Sequence, residues 1–171
     1  MLQEFHTKLE QKYEGSLVRT SSAEQFDSNA KQYLHQLANA GLVERVTWGW
    51  YYVKDHAKDA LNFLGKDKNF KMIAGQSAAS LWNKDFVHRD IYTVLVNDKS
   101  YARALEKFAD KQGWKIQASY SEHLPGYVKV GNLYVEDLLD TLLDCLYRWA
   151  FLDSMAIVYE QRRKRNLRKL M

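Results

Sequence analysis

The stretch Asp27-Ser28-Asn29-Ala30-Lys31-Gln32-Tyr33-Leu34-His35-Gln36-Leu37-Ala38-Asn39-Ala40-Gly41-Leu42-Val43-Glu44-Arg45-Val46-Thr47-Trp48-Gly49-Trp50-Tyr51-Tyr52-Val53 decides the fold. Ala30, Tyr33, Leu34, Leu37 and Ala38 recur at spacings of three and four, which predicts an amphipathic helix over 28–40. Asp27 and Ser28 offer N-caps for it, and Gly41 stands where a left-handed closing residue is wanted. Two β-rich runs follow, Leu42–Val46 and Trp50–Val53, around Thr47-Trp48-Gly49, and they read as a hairpin. Along its second strand, alternation sends Trp50 and Tyr52 to one side and Tyr51 and Val53 to the other, and one side must be core. Aromatic anchors favour packing for Trp50 and Tyr52.

Upstream, Leu2, Phe5, Leu9 and Tyr13 form one apolar stripe on a predicted helix over 2–13, stopped by Gly15. Ser21 with Glu24 three residues on matches a capping box at the start of a short second helix. Helix, short helix, helix with a glycine stop and hairpin, in that order, predict a winged helix-turn-helix domain over residues 1–54.

The texture changes after Asp55, and residues 55–171 read as a small mixed α/β domain with a helical C-terminal end. Ala57, Leu61 and Leu64 suit a linking helix, and 70–74 and 91–96 read as strands with a short helix from Ala78 between them. Tyr101, Leu105, Phe108 and Ala109 mark a helix ending at Gly113, and 114–118 and 127–130 read as strands around a turn at Pro125-Gly126. A leucine stripe from Leu138 to Leu146 makes 136–160 helical. The whole is expected to be α+β.

Charge sharpens the functional reading. The 171 residues carry a net charge of +4, yet residues 1–54 hold six basic and six acidic groups. The excess lies in residues 161–171, where Arg162, Arg163, Lys164, Arg165, Arg168 and Lys169 meet no acid. Such a tail suits phosphate or acidic-partner contact. No apolar run approaches 18 residues, no secretory signal is visible, and the single cysteine makes no disulfide framework. These features predict a cytoplasmic protein without a membrane partner.

On the predicted helix 28–40, the outward face presents Ser28, Asn29, Lys31, Gln32, His35, Gln36 and Asn39. Amide and hydroxyl side chains at a recognition helix's N-terminal half suit adenine edges or phosphates, and the absence of Arg removes the bidentate guanine contact. Arg45 and Lys54 are further candidate contacts to the DNA backbone, and a hairpin-tip Trp48 suits either that backbone or packing on the second domain. His88-Arg89-Asp90 lacks the accompanying motifs of a kinase, and the five histidines show no metal-ligand spacing. Asp137, Asp140 and Asp144 read as a solvated face opposite the leucines, and Cys145 as a buried small apolar residue. No cofactor, metal site or catalytic residue is expected.

The run Gln32–Val46 followed by Gly49-Trp50-Tyr51-Tyr52-Val53 resembles the winged-helix start of AbiEi-type antitoxins and related transcriptional regulators. Ile73–Trp82 and Val135–Leu146 resemble the second half of the same family. The resemblance covers most of the chain in order and implies a DNA-binding repressor or antitoxin of a toxin–antitoxin operon, paired with a cognate toxin. The second half is also similar to a nucleotidyltransferase scaffold, with Ala74-Gly75-Gln76-Ser77 as its first motif. The second motif departs from the pattern, because Tyr92 follows Asp90 where a second carboxylate belongs, and phenol is a poor Mg²⁺ ligand.

The expectation is therefore a sequence-specific regulator of double-stranded DNA, not an enzyme, contacting DNA through Ser28, Asn29, Lys31, Gln32, Gln36, Arg45, Trp48 and the tail residues Arg162, Arg163, Lys164 and Arg165. The alternatives are a nucleotide-handling enzyme using Asp90 and a protein-interaction module that binds no nucleic acid.

Overall fold

The computed structural model describes residues 1–55, 57–82 and 91–147. The described chain is α+β, with two sheets, and divides into two compact units. The first comprises Met1–Phe70 and Asp98–Ile116; the second begins with Lys71–Asn97 and resumes at Gln117.

In the first unit the order is α1 (Leu2–Tyr13), β1 (Leu17–Arg19), α2 (Thr20–Ala23), α3 (Ala30–Asn39), β2 (Val43–Thr47), β3 (Trp50–Val53) and α4 (Ala60–Lys66), joined later by α6 (Lys99–Gln112). The expected apolar stripes do form the core: Phe5 and Leu9 of α1 meet Ala30, Tyr33, Leu34 and Leu37 of α3. Gly41 ends α3 at φ +73°, with its N–H on the Ala38 carbonyl and the Leu42 N–H on the Leu37 carbonyl. These two bonds satisfy carbonyls that the helix end would otherwise leave unpaired.

Three expectations require correction here. The Ser21–Glu24 capping box does not form, because α2 starts at Thr20 after Arg19 and has no side-chain cap; the Thr20 hydroxyl instead donates to the Gly49 carbonyl. Ser28 and Asn29 precede α3 rather than opening it, since the Asp27 carboxylate accepts from the Asn29 N–H at 2.8 Å and turns the chain there. A third strand, β1, pairs antiparallel with β3 and makes it the centre of the order β1-β3-β2.

Both faces of β3 are covered, so all four of its residues are buried. Tyr51 and Val53 join the α1–α3 core. On the opposite face, Trp50 meets Tyr101 of α6 at 5.7 Å between ring centres, and Tyr52 lies 4.3 Å from Phe108. Phe63 of α4 completes the cluster with Phe108 and Trp114. The fully buried Tyr101 hydroxyl donates to Asp67 at 3.0 Å, and burial followed by the Asp67 charge pushes its ionisation well above the ordinary phenol range. Packing of Trp50 and Tyr52 was expected, but not that α6 covers them while the other face is buried too, because α6 lies some fifty residues downstream of the strand.

In the second unit, β4 (Met72–Ile73), α5 (Gly75–Trp82), β5 (Ile91–Val96), β6 (Lys115–Tyr120), β7 (Tyr127–Val130), β8 (Leu133–Glu136) and α7 (Leu138–Tyr147) build a sheet of order β6-β5-β4-β8-β7. The sequence expectation placed β6 and β7 around one turn; they lie at opposite edges, and β7 pairs instead with β8. β8 itself was missed because its four residues run directly into the leucine-rich helix. The helix begins at Gly75, three residues earlier than expected, with Ser77 accepting from the Thr93 N–H at 2.8 Å.

On α7 the expectation holds in part. Cys145 is buried as read and Leu138 and Leu142 pack against it and Ala79, but Leu139, Leu143 and Leu146 are exposed, and Asp137, Asp140 and Asp144 are half-buried rather than solvated. Two of these carboxylates serve backbone donors: Asp140 accepts from the Gly126 N–H at 2.6 Å, and Asp137 from the Asp140 N–H at 2.9 Å.

The aromatic cluster predicts that Phe63→Ala destabilises the first unit by about 3–5 kcal/mol. Urea unfolding followed by tryptophan fluorescence measures it; a loss under 1 kcal/mol would mean that the cluster is not tightly packed.

Candidate nucleic-acid interface

The N-terminal half of α3, the chain just before it and the β2–β3 turn border one cleft of about 1080 Å³. Ser28, Asn29, Lys31, Gln32, Gln36, Arg45 and Trp48, seven residues singled out from sequence, all line it. The remaining four, Arg162, Arg163, Lys164 and Arg165, lie outside the described residues, as do Asp90, His56, His88 and Arg89. Lys54 does not line the cleft, and its ammonium donates to the Gly41 carbonyl at 2.5 Å.

Local chemistry explains why these residues meet. Burial of Tyr33, Leu34 and Leu37 turns Lys31, Gln32, His35 and Gln36 outward on α3. The hairpin tip is fixed by Gly49, at φ +71°, whose carbonyl accepts from the Thr20 N–H at 2.9 Å. Trp48 therefore stands 81% exposed, next to a strand whose other aromatic residues are buried. The Lys31 ammonium lies 5.9 Å from the Trp48 ring centre and the Arg45 guanidinium 5.8 Å from it. Such cation–aromatic contacts contribute about 0.5–1 kcal/mol at exposed sites, enough to bias the side chains.

The hairpin is also braced from within its own unit. Lys111 of α6 reaches Glu44 at 3.1 Å and the Arg45 carbonyl at 2.9 Å, while Ser100 accepts from the Trp50 indole at 3.2 Å. Arg19 and Ser100 line the cleft but were missed by sequence reasoning. Arg19 faces Asp98 at 3.8 Å, and no local pattern announces a pairing across 79 residues. The lining cations Arg19, Lys31 and Arg45 stand against one carboxylate, Glu24. A neutral domain thus acquires a locally positive concave face lined with amides and one exposed indole.

No family model, curated protein or solved structure matches the chain. Its chemistry must be read from its own side chains.

The second unit carries a different polar centre. Glu136 is buried, accepting from the Gly75 N–H at 2.8 Å and from the Thr141 hydroxyl at 3.3 Å. Burial raises its ionisation above the ordinary carboxylate value, with the bond from Gly75 opposing and the nearby Asp144 charge adding to the rise. The amide that opens α5 is therefore already engaged by a carboxylate of the same chain. No group of three or more metal-ligating side chains comes together among the described residues.

A raised folded-state pKa means that Glu136 favours folding most below its unfolded value of about 4.3 and loses that contribution as pH rises through the folded value. Glu136→Gln keeps an acceptor for Gly75 without the charge. Thermal melts from pH 4 to pH 7 should show the variant gaining on wild type as pH rises. Parallel curves would contradict the burial of a charged carboxylate.

Proposed function

We propose that the first unit is a winged-helix module that binds double-stranded DNA, and that the chain is a sequence-specific transcriptional regulator acting in the cytoplasm. One observation carries this reading: the seven candidate contacts from α3, its approach and the hairpin tip line a single exposed cleft. The order α1-β1-α2-α3-β2-β3 with sheet order β1-β3-β2 supports it, because it sets a two-helix turn beside a hairpin wing. In this reading α3 enters the major groove, and Arg45 with the wing-tip Trp48 lies along the backbone. The basic residues of 161–171 supply further phosphate contacts. The resemblance to AbiEi-type antitoxins supports the narrower role of an autorepressor with a cognate toxin as its second partner.

Duplexes selected from a random pool, titrated at several salt concentrations, test the reading. Lys31→Ala and Arg45→Ala should each weaken binding to every sequence and lower the salt slope by about 0.9. Deleting residues 161–171 should flatten the slope further. Absence of binding at low salt, or slopes unchanged in all three variants, would contradict the proposal.

A further inference from the structure

The geometry points to adenine as the base that this cleft reads, through the carboxamides of Gln32 and Gln36. The inference rests on the cleft being a duplex-DNA interface and adds which bases it discriminates.

Guanine is most often read by an Arg or Lys donating to its O6 and N7. The cleft holds three such cations, and each is engaged within the protein. Arg19 faces Asp98 at 3.8 Å, while Lys31 and Arg45 flank the Trp48 ring at 5.9 and 5.8 Å. Holding Lys31 and Arg45 at the hairpin tip aligns them with the wing, where the partner is a sugar-phosphate chain rather than a base edge. Asn29, Gln32 and Gln36 are exposed and line the same cleft. Asn39, by contrast, spends its amide on His35 at 3.2 Å and lies outside the cleft.

A carboxamide both donates and accepts, which matches the N7 acceptor and N6 donor of adenine in the major groove and no other base as well. Gln32 and Gln36 occupy successive turns, about 6 Å apart along the helix axis. A base-pair rise of about 3.4 Å places their targets about two base pairs from each other. The site is thus divided: amides on α3 choose the base, and the cation–indole cluster on the wing holds the strand.

Selection of duplexes by the full chain, repeated with Gln32→Ala and Gln36→Ala, tests this. Adenines should be enriched at two positions about two base pairs apart, each variant relaxing one of them. Replacing either adenine by 7-deazaadenine, which removes the N7 acceptor, should cost wild type roughly 5- to 150-fold in affinity. The matching variant should lose little, and Lys31→Ala should keep the preference while binding more weakly throughout. Enrichment of guanine, or adenine enrichment indifferent to both glutamines, would overturn adenine readout while leaving DNA binding intact. No enrichment and no duplex binding would overturn both.

Discussion

The burial of β3 on both faces is the constraint on which the first unit depends. Four consecutive residues, Trp50-Tyr51-Tyr52-Val53, are all buried, and because successive side chains point to opposite faces, both faces of the strand must be covered. One layer is the α1–α3 core around Tyr51 and Val53, and the other is the aromatic cluster of α4 and α6 around Trp50 and Tyr52. The hairpin is thus packed on both sides as far as Trp50, and Trp48 stands exposed beyond it. Without the α6 layer, Trp50 and Tyr52 would present a broad apolar surface to water, and the cleft wall they back would lose its footing.

Much of the first unit was legible because its signals are local. A stripe of Leu2, Phe5, Leu9 and Tyr13, a second stripe ending at Gly41, and a run of β-branched and aromatic residues each report on a few neighbouring positions. The outward face of α3 followed directly from its inward one, and seven of the candidates on α3, its approach and the hairpin line one cleft, whereas Asn39 and Lys54 do not. What stayed hidden was long-range. β1 is three residues long, too short to show alternation, and is a strand only because β3 pairs with it. Arg19 and Ser100 reach the cleft through packing of α6, which no window of neighbouring residues records.

The second unit shows how pattern reading fails when a helix has two competing faces. Leucines at 139, 143 and 146 and aspartates at 137, 140 and 144 both recur at helical spacing, and hydrophobicity favours burying the leucines. Leu138 and Leu142 pack on Ala79 and Cys145 while Leu139, Leu143 and Leu146 stay exposed, and Asp140 and Asp137 accept from the N–H groups of Gly126 and Asp140. A bond to a neighbouring loop is invisible in the spacing of the helix itself.

The cleft concentrates positive charge, amides and one exposed indole in a unit that is otherwise charge-balanced, so the proposed location of binding rests on shape more than on net charge. The most direct test is a map of backbone amide shifts on adding duplex DNA to the full-length chain. The account predicts perturbations concentrated at Ser28–Gln36 and Arg45–Gly49. Perturbations confined to the second unit, or none at saturating duplex, would contradict it.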